Sequence, residues 1–234
     1  MSTVDQPRIT SLPRLAAGQR LDQPTFHERY EAMPPHTWAE LVGGIVYMPS
    51  PLRNEHGGTD ETVSCWLGYY RRFTKGLAAG KNVTTILGES GETQPDSQLR
   101  IREELGGQTL LVEGYVTGAP EMVIEIARSS RVYDLGVKKA EYERAGVLEY
   151  LVVELDPDRI HWFVRCGDHF ENLSPDEDGI FRSTVYPGLW LDPQALYADD
   201  LDRLAEIVEQ GLATPQHAAF VAQLAEARER PRQA

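Results

Sequence analysis

Residues 121–127 read "EMVIEIA", four large apolar side chains around one carboxylate, Glu125. A strand apolar at both odd and even positions is buried on both faces, as strands packed between helices are. An ionised carboxylate in such a strand costs several kcal/mol unless it is paired, hydrogen-bonded or bound to metal. Glu125 therefore needs a partner. The next periodic stretch, "DLGVKKAEYERAG" at residues 134–146, reads as a helix with Asp134 at its N-cap and Gly146 just past its end. At about 100° per residue, Lys138 falls inside the apolar stripe between Ala145 and the pair Tyr142 and Leu135, while Lys139 lies at its edge. Lys138 is the natural candidate to approach Glu125. Its long stem could instead pack on the core and lead the ammonium out to water.

Working outward, "TFHE" puts Glu28 three residues after Thr25, a capping-box pattern for a short helix ending near Pro34 and Pro35. In "AELVGGIVYMPSP", Gly43 and Gly44 form a hairpin turn between two strands, the second stopped by Pro49 and Pro51. An amphipathic helix follows, with Val63, Trp66, Leu67, Tyr70 and Phe73 at helical spacing. "NVTTILGE", "QPDSQLRI" and "QTLLVEGYV" each read as one strand before "EMVIEIA". After the helix come "EYLVVEL", "IHWFVR", "HFENLS" and "IFRSTV", a run of strands joined by tight turns. Helices fill the C-terminal stretch, the last capped by Thr214 and Pro215. The expected architecture is a mixed α/β domain over residues 25–192, with a flexible or loosely docked arm at 1–24 and a helical extension at 193–234 packed on the same domain.

The chain has 234 residues, 41% hydrophobic and 25% charged, the profile of an ordinary globular protein. No apolar run is long enough to span a bilayer and the first residues lack a secretory signal, so a cytoplasmic protein is expected. Cys65 and Cys166 are far apart, which suggests a reducing compartment and argues against zinc. A net charge of −13 opposes simple polyanion binding. Local basic groups do occur at Arg71, Arg72, Lys75 and Lys81, and at Arg128, Arg131, Lys138, Lys139 and Arg144; the second group flanks Glu125, although Glu141 and Glu143 could equally balance it as a solvated surface. Nucleophile elbow, phosphate-binding glycine loop, zinc histidine pair and dinucleotide fingerprint are all missing.

Asp96, after Pro95 at the start of "DSQLRI", adds a second carboxylate. Alone it reads as a turn residue. Two carboxylates brought together by neighbouring strands can hold magnesium, which prefers hard oxygen ligands and keeps several waters. Such an ion activates water and neutralises charge on a phosphoryl group, and a nearby ammonium can stabilise the anionic transition state.

The run "APEMVIEIARSSRVYDLGVKKAEYERAGVLEYLVV" strongly resembles the signature of the Uma-two family of restriction endonucleases, within the PD-(D/E)XK nuclease-like superfamily. The pattern falls on Pro95 and Asp96, Glu125, Ser129 or Ser130, Asp134, Lys138, Tyr142, and Gly146, Val147, Glu149 and Tyr150. "AELVGGIVYMPSP" and His56 are similar to the family's opening, which adds Glu40 and His56 to the residues near the site. The superfamily lysine belongs two residues after the glutamate, where this chain has Ala127; Lys138 would be its replacement from the following helix. The resemblance covers most of residues 25 to 225. It implies a restriction-endonuclease-like mixed central β-sheet flanked by helices, with an added N-terminal β-hairpin and C-terminal helices. It further implies metal-dependent hydrolysis of DNA, with Asp96 and Glu125 binding Mg2+ or Mn2+, Lys138 and Glu40 completing the catalytic set, and His56, Tyr142 and Asp134 standing behind them. A homodimer is expected by analogy. The alternative is a catalytically silent scaffold serving as a binding or regulatory module.

Overall fold

The computed structural model describes residues 12–48 and 54–229, and the side chains of 57–229 within the second span. Its strands are β1 (Glu40–Val42), β2 (Ile45–Tyr47), β3 (Leu77–Gly80), β4 (Thr85–Ile86), β5 (Glu92–Thr93), β6 (Ser97–Ile101), β7 (Leu110–Val112), β8 (Tyr115–Thr117), β9 (Met122–Ala127), β10 (Glu149–Leu155), β11 (Asp158–Cys166), β12 (His169–Leu173), β13 (Phe181–Arg182) and β14 (Trp190–Leu191). Its helices are α1 (Gln23–Glu31), α2 (Asn54–Phe73), α3 (Arg131–Tyr133), α4 (Lys139–Ala145), α5 (Pro193–Tyr197), α6 (Leu201–Leu212) and α7 (Pro215–Glu229), with a π-helical turn at Asp134–Lys138 joining α3 to α4.

The central sheet has the order β12-β11-β10-β9-β6-β3. It is mixed, because β9 and β10 are parallel while the other neighbours are antiparallel. The parallel pair needs a crossover, and the helical segment from α3 to α4 supplies it. Every residue of β9 is buried. Met122, Ile124 and Ile126 pack with Trp66 and Leu67 of α2, Leu204 and Val208 of α6 and Leu224 of α7. Val123 and Ala127 turn the other way, against Tyr142 of α4, Val147 and Tyr150. Glu125 alternates onto this second face, the one covered by the crossover.

A second sheet, β2-β1-β5-β4-β8-β7, carries the N-terminal hairpin at one end. Gly43 and Gly44 both have positive φ, 59° and 73°, as the tight turn between β1 and β2 requires. Residues 12–24 of the N-terminal arm include a docked stretch: Gly18 N donates to Val46 O, Val46 N to Gln19 O and Leu21 N to Gly44 O, and Leu15 is buried beside Phe26 and Val46.

Several local expectations change. The α1 cap is Asp22, whose side chain accepts from Thr25 N at 2.9 Å, so Thr25 lies inside the helix. "QTLLVEGYV" is not one strand but the hairpin β7–β8, turning at Glu113 and Gly114 with φ 52° and 91°. Asp134 is not a helix cap. The chain is already helical from Arg131, with Tyr133 N and Asp134 N both donating to Ser130 O. Pro49 and Pro51 lie outside the described residues. Among the described residues, no helix is long and apolar enough to cross a membrane, and Cys65 and Cys166 are both free thiols.

Candidate active site

Glu125 finds its partners on the crossover. Lys138 Nζ lies 2.7 Å from Glu125 Oε1 and 3.1 Å from Glu40 Oε1. The Tyr142 hydroxyl donates to the same Glu125 Oε1 at 2.7 Å. Lys138 is the last residue of the π turn, where Lys139 N reaches back five residues to Asp134 O. Such turns widen a helix locally and recur at functional sites. Lys138, Tyr142, Glu125 and Glu40 are all buried, whereas Lys139 is partly exposed, its Nζ 4.1 Å above the centre of the Phe163 ring.

Asp96 arrives by strand register. Ser97 pairs with Ile124 across the antiparallel β6–β9 ladder, so one step further Asp96 comes level with Glu125. There the ladder splits. Pro95 O accepts from Asn82 N instead, and Asp96 Oδ2 takes the Ile126 amide at 2.7 Å. A side-chain carboxylate thus replaces a main-chain acceptor at the point where the strands part.

Glu40 is delivered from the other sheet. Besides Lys138, its carboxylate accepts from Gln94 N at 2.8 Å and from the Tyr133 hydroxyl at 3.2 Å. Tyr133 did not stand out in the sequence, since its contact with Glu40 spans 93 residues and no local pattern announces it. Its ring also lies 5.6 Å from Lys138 Nζ and 4.6 Å from the Tyr47 ring, centre to centre. A further link joins the two halves: Gly43 N donates to Glu141 Oε2 at 3.2 Å, tying the β1–β2 turn to α4. His56 lies in α2, and its side chain is outside the described residues.

Three buried carboxylates, Glu40, Glu125 and Asp134, act on one ammonium, and a fourth, Asp96, acts on Glu125. Burial works against the charge on Lys138, but Glu125 and then Glu40 outweigh it and hold the ammonium well above its ordinary range. Burial pushes Glu125 well above the usual carboxylate range; Lys138 pulls it back, and Asp96, Asp134 and Glu40 push it further. Asp134 is pushed up to about 6 by burial, against the pull of Lys138. Burial and then Glu125 raise the Tyr142 phenol far above its ordinary value, so it remains a donor. The excess of carboxylate is an electrostatic demand that protons or a cation can meet.

The donor chemistry fits magnesium or manganese, which take hard oxygens and need only one or two carboxylates beside water. Lys138 and Tyr142 both address Glu125 Oε1, and Oε2 lies outside those contacts. Among the described residues, no group of three or more His, Cys, Asp or Glu side chains has the spacing of a ready-made metal cage. Asp96 and Glu125, level with each other across the β6–β9 ladder, are the two carboxylates that would hold such an ion.

The mixed sheet with its α crossover is a restriction-endonuclease-like fold. The Uma2 family model, described as "Putative restriction endonuclease", matches residues 25–194, and the chain belongs to that family. A solved structure described as "a putative nuclease belonging to DUF820 from Anabaena variabilis" shares the fold, with a TM-score of 0.58 at 14% identity over 73% of this chain and 96% of that one. No curated protein matches the sequence. The family match ends at residue 194, so α6 and α7 lie beyond it.

Proposed function

We propose that the protein is an endonuclease that hydrolyses DNA phosphodiester bonds with Mg2+ or Mn2+ held by Asp96 and Glu125. The observation that carries this reading is the bridge made by Lys138, which brings an ammonium from the crossover helix against carboxylates of both sheets at 2.7 and 3.1 Å. When bound, the ion supplies Lewis-acid activation of water and neutralisation of phosphoryl charge. The chain's own groups do the positioning. The Ile126 amide fixes the Asp96 carboxylate, and the Tyr142 hydroxyl fixes that of Glu125. The Lys138 ammonium, kept protonated by its neighbours, holds the attacking water and faces the negative charge that develops on the phosphate. Glu40 completes the network around that water. Asp134 and Tyr133 support Lys138 from the same helical segment. The same reading locates the protein in the cytoplasm, where its free thiols stay reduced, and takes it to be a homodimer by analogy of fold.

The test is cleavage of plasmid DNA by purified protein with Mg2+ or Mn2+, beside Asp96→Asn, Glu125→Gln and Lys138→Met variants whose folding is checked by circular dichroism. Wild type should nick or linearise the plasmid, and each variant should be slower by about 10²-fold or more. If wild type leaves several DNA substrates as intact as the variants do, the reading fails. A silent binding or regulatory scaffold is the second reading, favoured by the net charge of −13 and by Ala127 at the superfamily's lysine position. Metal-dependent cleavage that the variants abolish would exclude it.

A further inference from the structure

A second charged cluster lies beside the site, on the same face of the central sheet. In the parallel β9–β10 register, Glu154 pairs with Ala127, two residues beyond Glu125. That is a step of about 7 Å along the strand. Glu154 alternates onto the face of Tyr150 and Val152, which pack beneath α4. Its carboxylate is 1% exposed. His161 Nε2 lies 2.8 Å from Oε2, and Arg131 Nε lies 2.5 Å from Oε1. The guanidinium contact is a charge contact without hydrogen-bond alignment, because Oε1 accepts no aligned hydrogen bond among the described residues. Arg131 is therefore anchored by charge at one edge, while its side chain remains half exposed, at 49%.

The neighbouring basic residues are otherwise engaged. Lys138 is enclosed by Glu40 and Glu125, Arg144 is held by Glu141, and Lys139 stands over Phe163. Arg144 is as exposed and also has a buried counter-charge, but its Nε and Nη2 already donate to Glu141 and Leu87 O, whereas Arg131 meets Glu154 at Nε. A planar fork of donors on an anchored guanidinium is suited to a phosphate, and anchoring reduces the side-chain entropy lost when the phosphate arrives.

We propose that Arg131, anchored by the charge of the buried Glu154 carboxylate, forms a phosphate-binding subsite that grips the DNA backbone next to the bond being cut. This rests on the nuclease reading for its ligand. It also answers the charge problem, since a protein of net charge −13 can hold a polyanion through a few anchored cations while the rest of its surface repels it.

The test is binding of a fluorophore-labelled DNA duplex to the full chain without metal, read by fluorescence anisotropy over a range of salt, with urea unfolding of each variant as the control for folding. Arg131→Ala should weaken binding about tenfold and lower the salt slope by about one. Arg131→Lys keeps the charge but loses the fork, and should stay at least about threefold weaker than wild type; it carries the test if the alanine variant does not fold. Glu154→Gln is the sharpest arm. It removes a negative charge, so net charge alone predicts tighter binding, whereas loss of the anchor predicts binding about threefold weaker. Wild type that binds no duplex, Arg131 variants that bind like wild type, or a Glu154→Gln variant that binds more tightly would each overturn the subsite. Cleavage that survives with Arg131-independent binding defeats the subsite alone, and Arg131-dependent binding without cleavage defeats the nuclease reading alone.

Discussion

Lys138 is the residue on which the site's electrostatics turn. Without its ammonium, Glu40 and Glu125 would face each other in a space from which water is largely excluded. Breaking a buried ion pair from one side costs about 3–5 kcal/mol. Lys138→Met should lower stability by that order, read as a fall in the urea midpoint at constant slope. Pairing it with Glu125→Gln should cost clearly less than the two single changes together, because the second change removes a carboxylate that the first left stranded. Strict additivity of the two would show that the contact contributes no coupling.

At the scale of elements, the crossover helix and the hairpin are registered by Glu141. Its carboxylate receives Gly43 N from the β1–β2 turn and Arg144 from its own helix. A Cβ at Gly91 would stand 2.0 Å from Glu141 Oε1 and 2.9 Å from the Leu87 Cβ. Gly91→Ala should therefore destabilise by about 1–3 kcal/mol, the usual cost of overpacking. The penalty should shrink in a Glu141→Ala background, where the Leu87 contact alone remains; an unchanged penalty in thermal unfolding would mean that Glu141 is not what the methyl displaces. The C-terminal helix α7 offers a pH test. His217 is buried, donates from Nδ1 to Leu212 O and accepts from the Thr74 hydroxyl at Nε2. Burial holds its pKa below the ordinary 6.5. The unfolded chain then binds the proton more readily, so this contribution to stability is complete above pH ~6.5 and is lost as the pH falls towards the folded-state pKa. Between pH 7.5 and 5.5, wild type should lose more stability than His217→Gln, and an equal loss would remove His217 as the cause.

For the molecule as a whole, legibility followed the range of the interaction. Glu125 and Lys138 could be paired from the sequence because a strand apolar on both faces and the helix after it are local patterns. Gly43 and Gly44 marked their turn for the same reason. Asp134 has the residue type of a cap, but the helical backbone begins three residues earlier and passes through a π turn, which no residue pattern specifies. In "LLVEGYV" the alternation hid a turn whose sign was Gly114. Two-residue strands such as β5 carry too little periodicity to detect, and the strand orders of both sheets rest on pairings between distant segments. Tyr133 and Glu154 belong to this second group, acquiring their partners only through tertiary contact.

That dependence has a bearing on the order of assembly. Glu40 comes from one sheet, Asp96 and Glu125 from the other, and Lys138 from the crossover between β9 and β10. A nascent or heat-damaged chain whose sheets have formed but not docked lacks the bridge between them. On the nuclease reading, the set around the ammonium is complete only once the sheets dock, because Glu40 arrives with the second sheet.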